Sequence, residues 1–298
     1  MSRIQNILNK AERDGTVRRM RTMADPAASG LATVDGATAV APAPPPSMPA
    51  IAAAPTPPVG PMVSGAPDSL GAPAASAVPH VSLARSVEGA RLAPTLVTAL
   101  APDAAAAEQY RALRTRVVHA DNGTPVHTLL VTSPGRGEGK SVTAANLALA
   151  MAQEYQQRIC LVDANLRHPQ LHRLFDMSEA PGLADILLGR ASLEDSLVAI
   201  EEHHITVLPA GDPAAHPAEL LGTVTMRRML DSLRSQFDRV VIDAPAAAPL
   251  ADIGILTPLV DSVMLVVRAG MTPKPAIQDA IAAIDHGKLL GVVLNEAV

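Results

Sequence analysis

The 298-residue chain is 48% hydrophobic, carries a net charge of −5 and has one cysteine, Cys160, so it can fill a large core, is not built for non-specific nucleic-acid binding and forms no intramolecular disulfide. No apolar run approaches the roughly 18 residues of a membrane span, and no apolar core of a signal peptide opens the chain, so a soluble cytoplasmic protein is expected. With no Trp, two Tyr and two Phe, that core must be filled by Ala, Val, Leu and Ile.

Residues 1–21 read as a short amphipathic helix, with Ile4, Ile7, Leu8 and Ala11 at helical spacing and Arg3, Lys10 and Arg13 elsewhere. It is either a solvated segment that frays or a docking segment for a partner or an anionic membrane surface. Residues 22–95 hold 14 of the 27 prolines, and no Lys or Arg stands between Arg21 and Arg85. Such a Pro/Ala-rich stretch cannot build regular ladders and is expected to be a disordered linker.

Ordered structure is expected from about residue 96 to the end. Strand-like apolar runs at 127–132, 158–163, 205–209, 239–243, 262–267 and 289–295 alternate with helical stretches at 103–119, 140–154, about 181–200, 219–236 and 274–285. That alternation predicts an α/β domain of three layers, a mostly parallel sheet covered on both faces. Ligands of such sheets bind beyond the C-terminal strand ends.

The first such end carries Ser133-Pro134-Gly135-Arg136-Gly137-Glu138-Gly139-Lys140-Ser141. A strand, a Gly-rich turn and a helix in succession are the context of a P-loop NTPase. Its glycines let backbone N–H groups close around phosphate oxygens at a helix N-terminus that carries partial positive charge. Gly135, Arg136, Gly137, Glu138, Gly139, Lys140, Ser141 and Val142 are the expected nucleotide-binding residues. Lys140 is expected at the β- and γ-phosphates and Ser141 at Mg²⁺. Pro134 stands where G-x-x-x-x-G-K-[ST] has its first glycine, so Gly135 and Gly137 are expected to supply the turn.

Two other apolar strands end in carboxylates: Ile159-Cys160-Leu161-Val162 in Asp163, and Val240-Val241-Ile242 in Asp243. In a parallel sheet both emerge on the P-loop's side, where phosphoryl transfer needs groups that hold Mg²⁺ or its waters and orient the incoming oxygen. Arg167, just past Asp163, either meets phosphate or an acidic partner or forms a surface salt bridge.

Together these segments resemble the bacterial tyrosine kinase family, the polysaccharide-biosynthesis tyrosine autokinases, with Walker A at 133–141, Walker A′ at 159–167 and Walker B at 240–245. The similarity covers about 96–295 and includes Pro181-Gly182-Leu183, Leu208-Pro209-Ala210-Gly211, Val266-Val267-Arg268-Ala269-Gly270 and Gly291-Val292-Val293-Leu294-Asn295. The opening Met1-Ser2-Arg3-Ile4 is similar to a subgroup tied to exopolysaccharide export. The resemblance implies an ATP-dependent protein-tyrosine kinase domain over 96–298, with MgATP on the P-loop. Lys140 would stabilise the transferred phosphoryl group, Asp163 would position Mg²⁺ and accept the tyrosine proton, Asp243 would hold the Mg²⁺ shell, and Arg167 would serve the nucleotide. It also implies a homo-oligomeric ring, built through Glu108, Tyr110, Arg111 and Arg114, and a membrane-embedded polysaccharide chain-length regulator as activator. The chain would then sit at the inner face of the plasma membrane through that partner.

Three departures from the family pattern matter. The chain has no C-terminal tyrosine cluster, only Tyr110 and Tyr155, both read as structural. Asn165 stands at the second acidic position of Walker A′, and Ala246 where a second Pro often follows Walker B. Two other readings therefore stay open: a positioning ATPase of the partition type, against which Gly135 stands where its signature lysine would be, and a nucleotide-binding scaffold without catalysis. His168, His172, His203 and His204 lack metal-ligand spacing and are read as surface or loop residues. Cys160 is read as an inert buried thiol, and Asp252 as a helix cap or a site-lining residue.

Overall fold

The computed structural model describes residues 85–119, 125–154, 157–247, 251–285 and 287–296. The expected helix at 1–21 and Tyr155 lie outside them. The elements run β1 (Arg85–Val87), α1 (Val97–Leu100), α2 (Ala105–His119), β2 (Thr128–Thr132), α3 (Lys140–Ala152), β3 (Ile159–Asp163), α4 (Leu171–Leu174), α5 (Leu183–Leu187), α6 (Leu193–Ser196), β4 (Val198–Ile200), β5 (Ile205–Leu208), α7 (Pro217–Leu221), α8 (Val224–Gln236), β6 (Arg239–Asp243), α9 (Asp252–Leu256), β7 (Ser262–Arg268), α10 (Lys274–Ala282) and β8 (Leu289–Asn295).

The eight strands form one sheet in the order β1-β4-β5-β3-β6-β2-β7-β8. Every pairing is parallel except β4 with β5. All five residues of β2 and of β3 are buried, as strands covered on both faces must be. Alternate residues feed opposite cores. Leu130, Cys160, Val162, Val240 and Ile242 join the cluster under α5, α8 and α9. Leu129, Val131, Leu161 and Val241 join the cluster with the inner residues of α3. This period-2 division places Asp163 and Asp243, two residues past Leu161 and Val241, on the α3 face.

α3 is almost wholly buried, which its alanines permit by letting the helix lie close to the sheet and to α2. Asn146, fully buried on α3, donates its amide to Thr95 O (2.9 Å) and Val142 O (3.0 Å) and accepts from Thr98 N (3.0 Å). These bonds fasten the chain just before α2.

Three boundaries differ from expectation. The sheet takes in β1, inside the segment read as linker: Arg85, Ser86 and Val87 pair with Val198, Ala199 and Ile200. The helical region at 181–200 is two short helices and a strand, because Gly189 turns left-handed (φ +71°) and Ser192 starts a new turn by accepting from Asp195 N at 3.1 Å. The helix expected at 219–236 is broken at Thr223, whose hydroxyl accepts from Met226 N (3.2 Å) and so begins α8. A Thr223→Ala variant is expected to lose about 1 kcal/mol. The check is urea unfolding, where the midpoint should fall with an unchanged slope.

Candidate active site

β3, β6 and β2 lie side by side, so the loops leaving them meet at one edge of the sheet. Val131 is in register with Asp243, and Asp243 with Asp163.

The P-loop begins with Ser133, whose hydroxyl donates to Gly135 O at 2.6 Å. Gly139 is the N-cap of α3 at φ +88°, with no side chain capping the helix, so the first N–H groups of α3 stay open to an anion. Asn295, the last residue of β8, donates its amide to Glu138 O at 3.0 Å. That amide fills the space a Gly139 Cβ would need. Glu138 turns its own carboxylate onto Gly135 N (3.0 Å). Burial pushes that carboxyl above its ordinary value, opposed by the Thr272 hydroxyl and the Gly135 N–H. The loop is thus held from outside by the ends of β7 and β8. In Gly139→Ala the left-handed backbone and the displaced Asn295 both oppose the native loop. Nucleotide affinity is expected to fall by about tenfold or more, read by fluorescence titration.

Both carboxylates are fully buried. Asp163 Oδ1 accepts from Asn165 N (3.1 Å), and Oδ2 accepts from Gln170 N and Leu171 N (both 3.0 Å). It therefore shapes the loop between β3 and α4 and keeps one acceptor site on Oδ1. Burial and then the Asp243 charge push its carboxyl up to about 7. Ser141 and Lys140 are the polar side chains that face the Asp243 carboxylate, and neither carboxylate oxygen makes a hydrogen bond of good geometry. Lys140 Nζ stands 3.5 Å from Asp243 Oδ1 and donates to Ser141 Oγ at 3.0 Å. Burial raises the Asp243 carboxyl, and Lys140 and then the Ser141 hydroxyl oppose the rise. A buried carboxylate with open oxygens beside a hydroxyl is a donor set suited to a hard divalent cation. Among the described residues no cluster of three or more His, Cys, Asp or Glu could make an all-protein cage. Mg²⁺ is commonly held by one or two carboxylates together with substrate phosphates.

Arg167 is locked side-on to Asp252, with Nε to Oδ2 at 2.7 Å and Nη2 to Oδ1 at 3.2 Å. Asp252 is the first residue of α9 and caps nothing with its side chain, so the favoured cap reading is replaced by a buried ion pair. Arg136, Gly137, Gly139, Lys140, Ser141, Val142 and Arg167 line one cleft of about 540 Å³, together with Asn165 and His168. Of the expected site residues, Gly135, Glu138 and the two fully buried acids Asp163 and Asp243 do not line it. Asn165 donates its amide to His168 O (2.7 Å), a structural use of the neutral side chain. Sequence reading missed Asn295 and Thr272 as supports of the loop, because both lie far along the chain from it.

The expected interface helix divides. Arg114 donates to Ala150 O (2.8 Å) and pairs with Glu154 (3.0 Å), turning toward the chain's own α3. Tyr110 is half-buried, its phenol raised by burial with the Thr143 hydroxyl beside it. Arg111 bonds Glu108 (2.7 Å) and Pro102 O (2.8 Å). Only Glu108 of the four is exposed. Cys160 is fully buried and its thiol is pushed far up.

No family model matches the chain. It is 34% identical over 213 residues to the tyrosine-protein kinase YwqD of Bacillus subtilis (strain 168), covering 71% of this chain and 90% of that protein. The chain belongs to the bacterial tyrosine kinase family. This tyrosine kinase domain is also 32% identical over 202 residues to the succinoglycan biosynthesis transport protein ExoP of Rhizobium meliloti (strain 1021), covering 66% of the chain but 25% of that longer protein. Among solved structures, the kinase domain of Escherichia coli tyrosine kinase ETK superposes with a TM-score of 0.65 at 26% identity, over 71% of this chain and 85% of that one. Family membership gives the three strand-end segments their names: Walker A follows β2, Walker A′ closes β3 and Walker B closes β6. Among the described residues, no helix is long and apolar enough to cross a membrane.

Proposed function

We propose that this chain is a protein-tyrosine kinase that uses MgATP and acts in exopolysaccharide polymerisation or export. The observation that carries the reading is the pair of fully buried acids in register, one with open oxygens beside Lys140 and the other pushed up to about 7.

The N-terminal N–H groups of α3 and the P-loop backbone bind the phosphates, and Lys140 neutralises charge at the β- and γ-oxygens. Ser141 and Asp243 would hold Mg²⁺, which when bound would offset phosphate charge. The tyrosine oxygen forms a bond to the γ-phosphorus, the bond to the ADP oxygen breaks, and the phenolic proton passes to Asp163. A base poised near neutral pH is matched to that transfer. Arg167, held at the cleft on the Asp163 loop, donates to the transferred group.

The ring built through Glu108, Tyr110, Arg111 and Arg114, and activation by a membrane-embedded chain-length regulator that keeps the kinase at the inner face of the plasma membrane, belong to this reading. Its support is the ExoP relationship: there the matching segment is a quarter of a longer transport protein. The test is to incubate the purified chain with γ-labelled MgATP and a tyrosine-rich peptide. Phosphotyrosine supports the kinase. Free phosphate without it supports a positioning ATPase, and tight ATP binding with neither supports a scaffold.

A further inference from the structure

The Arg167–Asp252 pair joins two loops that leave neighbouring strands, β3 and β6, from positions 85 residues apart. Asp252 is fully buried, and among the described residues Arg167 is its only side-chain partner. A buried charge is costly to keep, and an apolar contact would join α9 to the β3 loop at least as well. What the acid does that an apolar residue could not is fix the plane of one guanidinium. The side-on fork uses Nε–H and one N–H of Nη2. It leaves the end-on edge, both N–H groups of Nη1 and the second of Nη2, without a partner among the described residues. The Arg167 side chain is 32% exposed and lines the same cleft as Lys140 and Ser141. End-on guanidinium edges match two phosphoryl oxygens.

Arg167 also comes from a different wall of the cleft than the P-loop. It sits four residues past Asp163, on the loop that Asp163 itself ties down through Asn165 N and Gln170 N. The P-loop and Lys140 reach the cleft from the β2 side, and Arg167 reaches it from the β3 side, with β6 between the two strands.

We propose that Asp252 is a positioning residue: it holds Arg167 so that the free edge of its guanidinium meets the γ-phosphoryl group and makes the site prefer ATP to ADP. This rests on the nucleotide-binding reading given above. A free arginine must lose considerable side-chain freedom to make that contact, and the fork to Asp252 removes the freedom before nucleotide arrives.

The experiment titrates the full chain, Asp252→Asn, Arg167→Gln and the double variant with MgATP and with MgADP, alongside thermal unfolding without nucleotide. Asp252→Asn is expected to weaken ATP binding by about tenfold while ADP binding moves by less than about twofold. Arg167→Gln should show the same selective loss, and the double variant should bind ATP no more weakly than Arg167→Gln alone, since Asp252 acts through Arg167. Equal losses for ATP and ADP, or additive losses in the double variant, overturn the proposal. Should Asp252→Asn fail to fold, Arg167→Gln decides: an unchanged ATP-to-ADP ratio there overturns it too. A wild-type chain that binds neither nucleotide removes the underlying reading and this inference with it. Selective ATP loss in a chain that makes no phosphotyrosine sustains the inference and removes only the kinase.

Discussion

In a Lys140→Met variant, phosphotyrosine formation is expected to fall by about 10²–10³-fold while the fold survives. Methionine keeps the length and apolar stem of a side chain that is only 12% exposed, so packing against the loop is retained. What is lost is the cation. Nζ serves two neighbours in the nucleotide-free protein, Asp243 at 3.5 Å and Ser141 at 3.0 Å. Its removal takes one counter-charge from the phosphates and lets the Asp243 carboxyl rise further, since Lys140 is the largest influence opposing burial there, ahead of the Ser141 hydroxyl. A protonated Asp243 is a poor ligand for Mg²⁺, so the two losses compound. The measurement is phosphotyrosine per mole of enzyme with time, with thermal unfolding as the control for folding. Transfer at the wild-type rate in a folded variant would remove Lys140 from the mechanism.

The second large effect separates stability from activity. Asp243→Asn is expected to abolish transfer yet stabilise the metal- and nucleotide-free protein at pH 8, by on the order of 1–2 kcal/mol. Asp163 and Asp243 both have raised carboxyls when folded, the first from 3.8 to about 7. Well below pH 3.8 both folded and unfolded chains are protonated and the pair costs nothing. As pH rises from there, the unfolded chain gives up its protons first, so the folded state is progressively disfavoured until about pH 7 and stays so above it. Asparagine removes one of the two opposed negative charges, and the gain is what remains after the 3.5 Å contact with Lys140 loses its charge. Lys140 keeps its bond to Ser141. Urea unfolding at pH 5 and pH 8 should show a decline for the native chain and a flatter profile for the variant. A variant less stable than the native chain at pH 8 would mean that the acids are not in opposition.

Much of this site could be read along the chain because it is local. A run such as Ile159–Asp163 carries its burial and its terminal acid in adjacent residues. The glycines of the P-loop announce their turn, and the side-by-side placing of Asp163 and Asp243 follows once the strands are taken as parallel neighbours. Distant contacts left no such mark. Nothing near Arg167 points to Asp252, and nothing near Glu138 points to Asn295, 157 residues on. The three-residue β1 is too short for a period-2 pattern to declare itself amid Pro- and Ala-rich sequence. The i, i+3 spacing of Glu108, Arg111 and Arg114 places them on one helix face. It could not say that α3 would lie against that face and take the Arg114 guanidinium at Ala150 O and Glu154.

The strap of Asn295 across Glu138 and Gly139 also sets an order of events while the protein is being made. The P-loop is translated long before β8 exists. At about 5–20 residues per second, the 157 residues that separate the two partners take roughly 8–30 s to add. Over that interval the nascent P-loop lacks the amide that packs on it. The growing polypeptide therefore carries a complete Walker A segment that Asn295 does not yet brace.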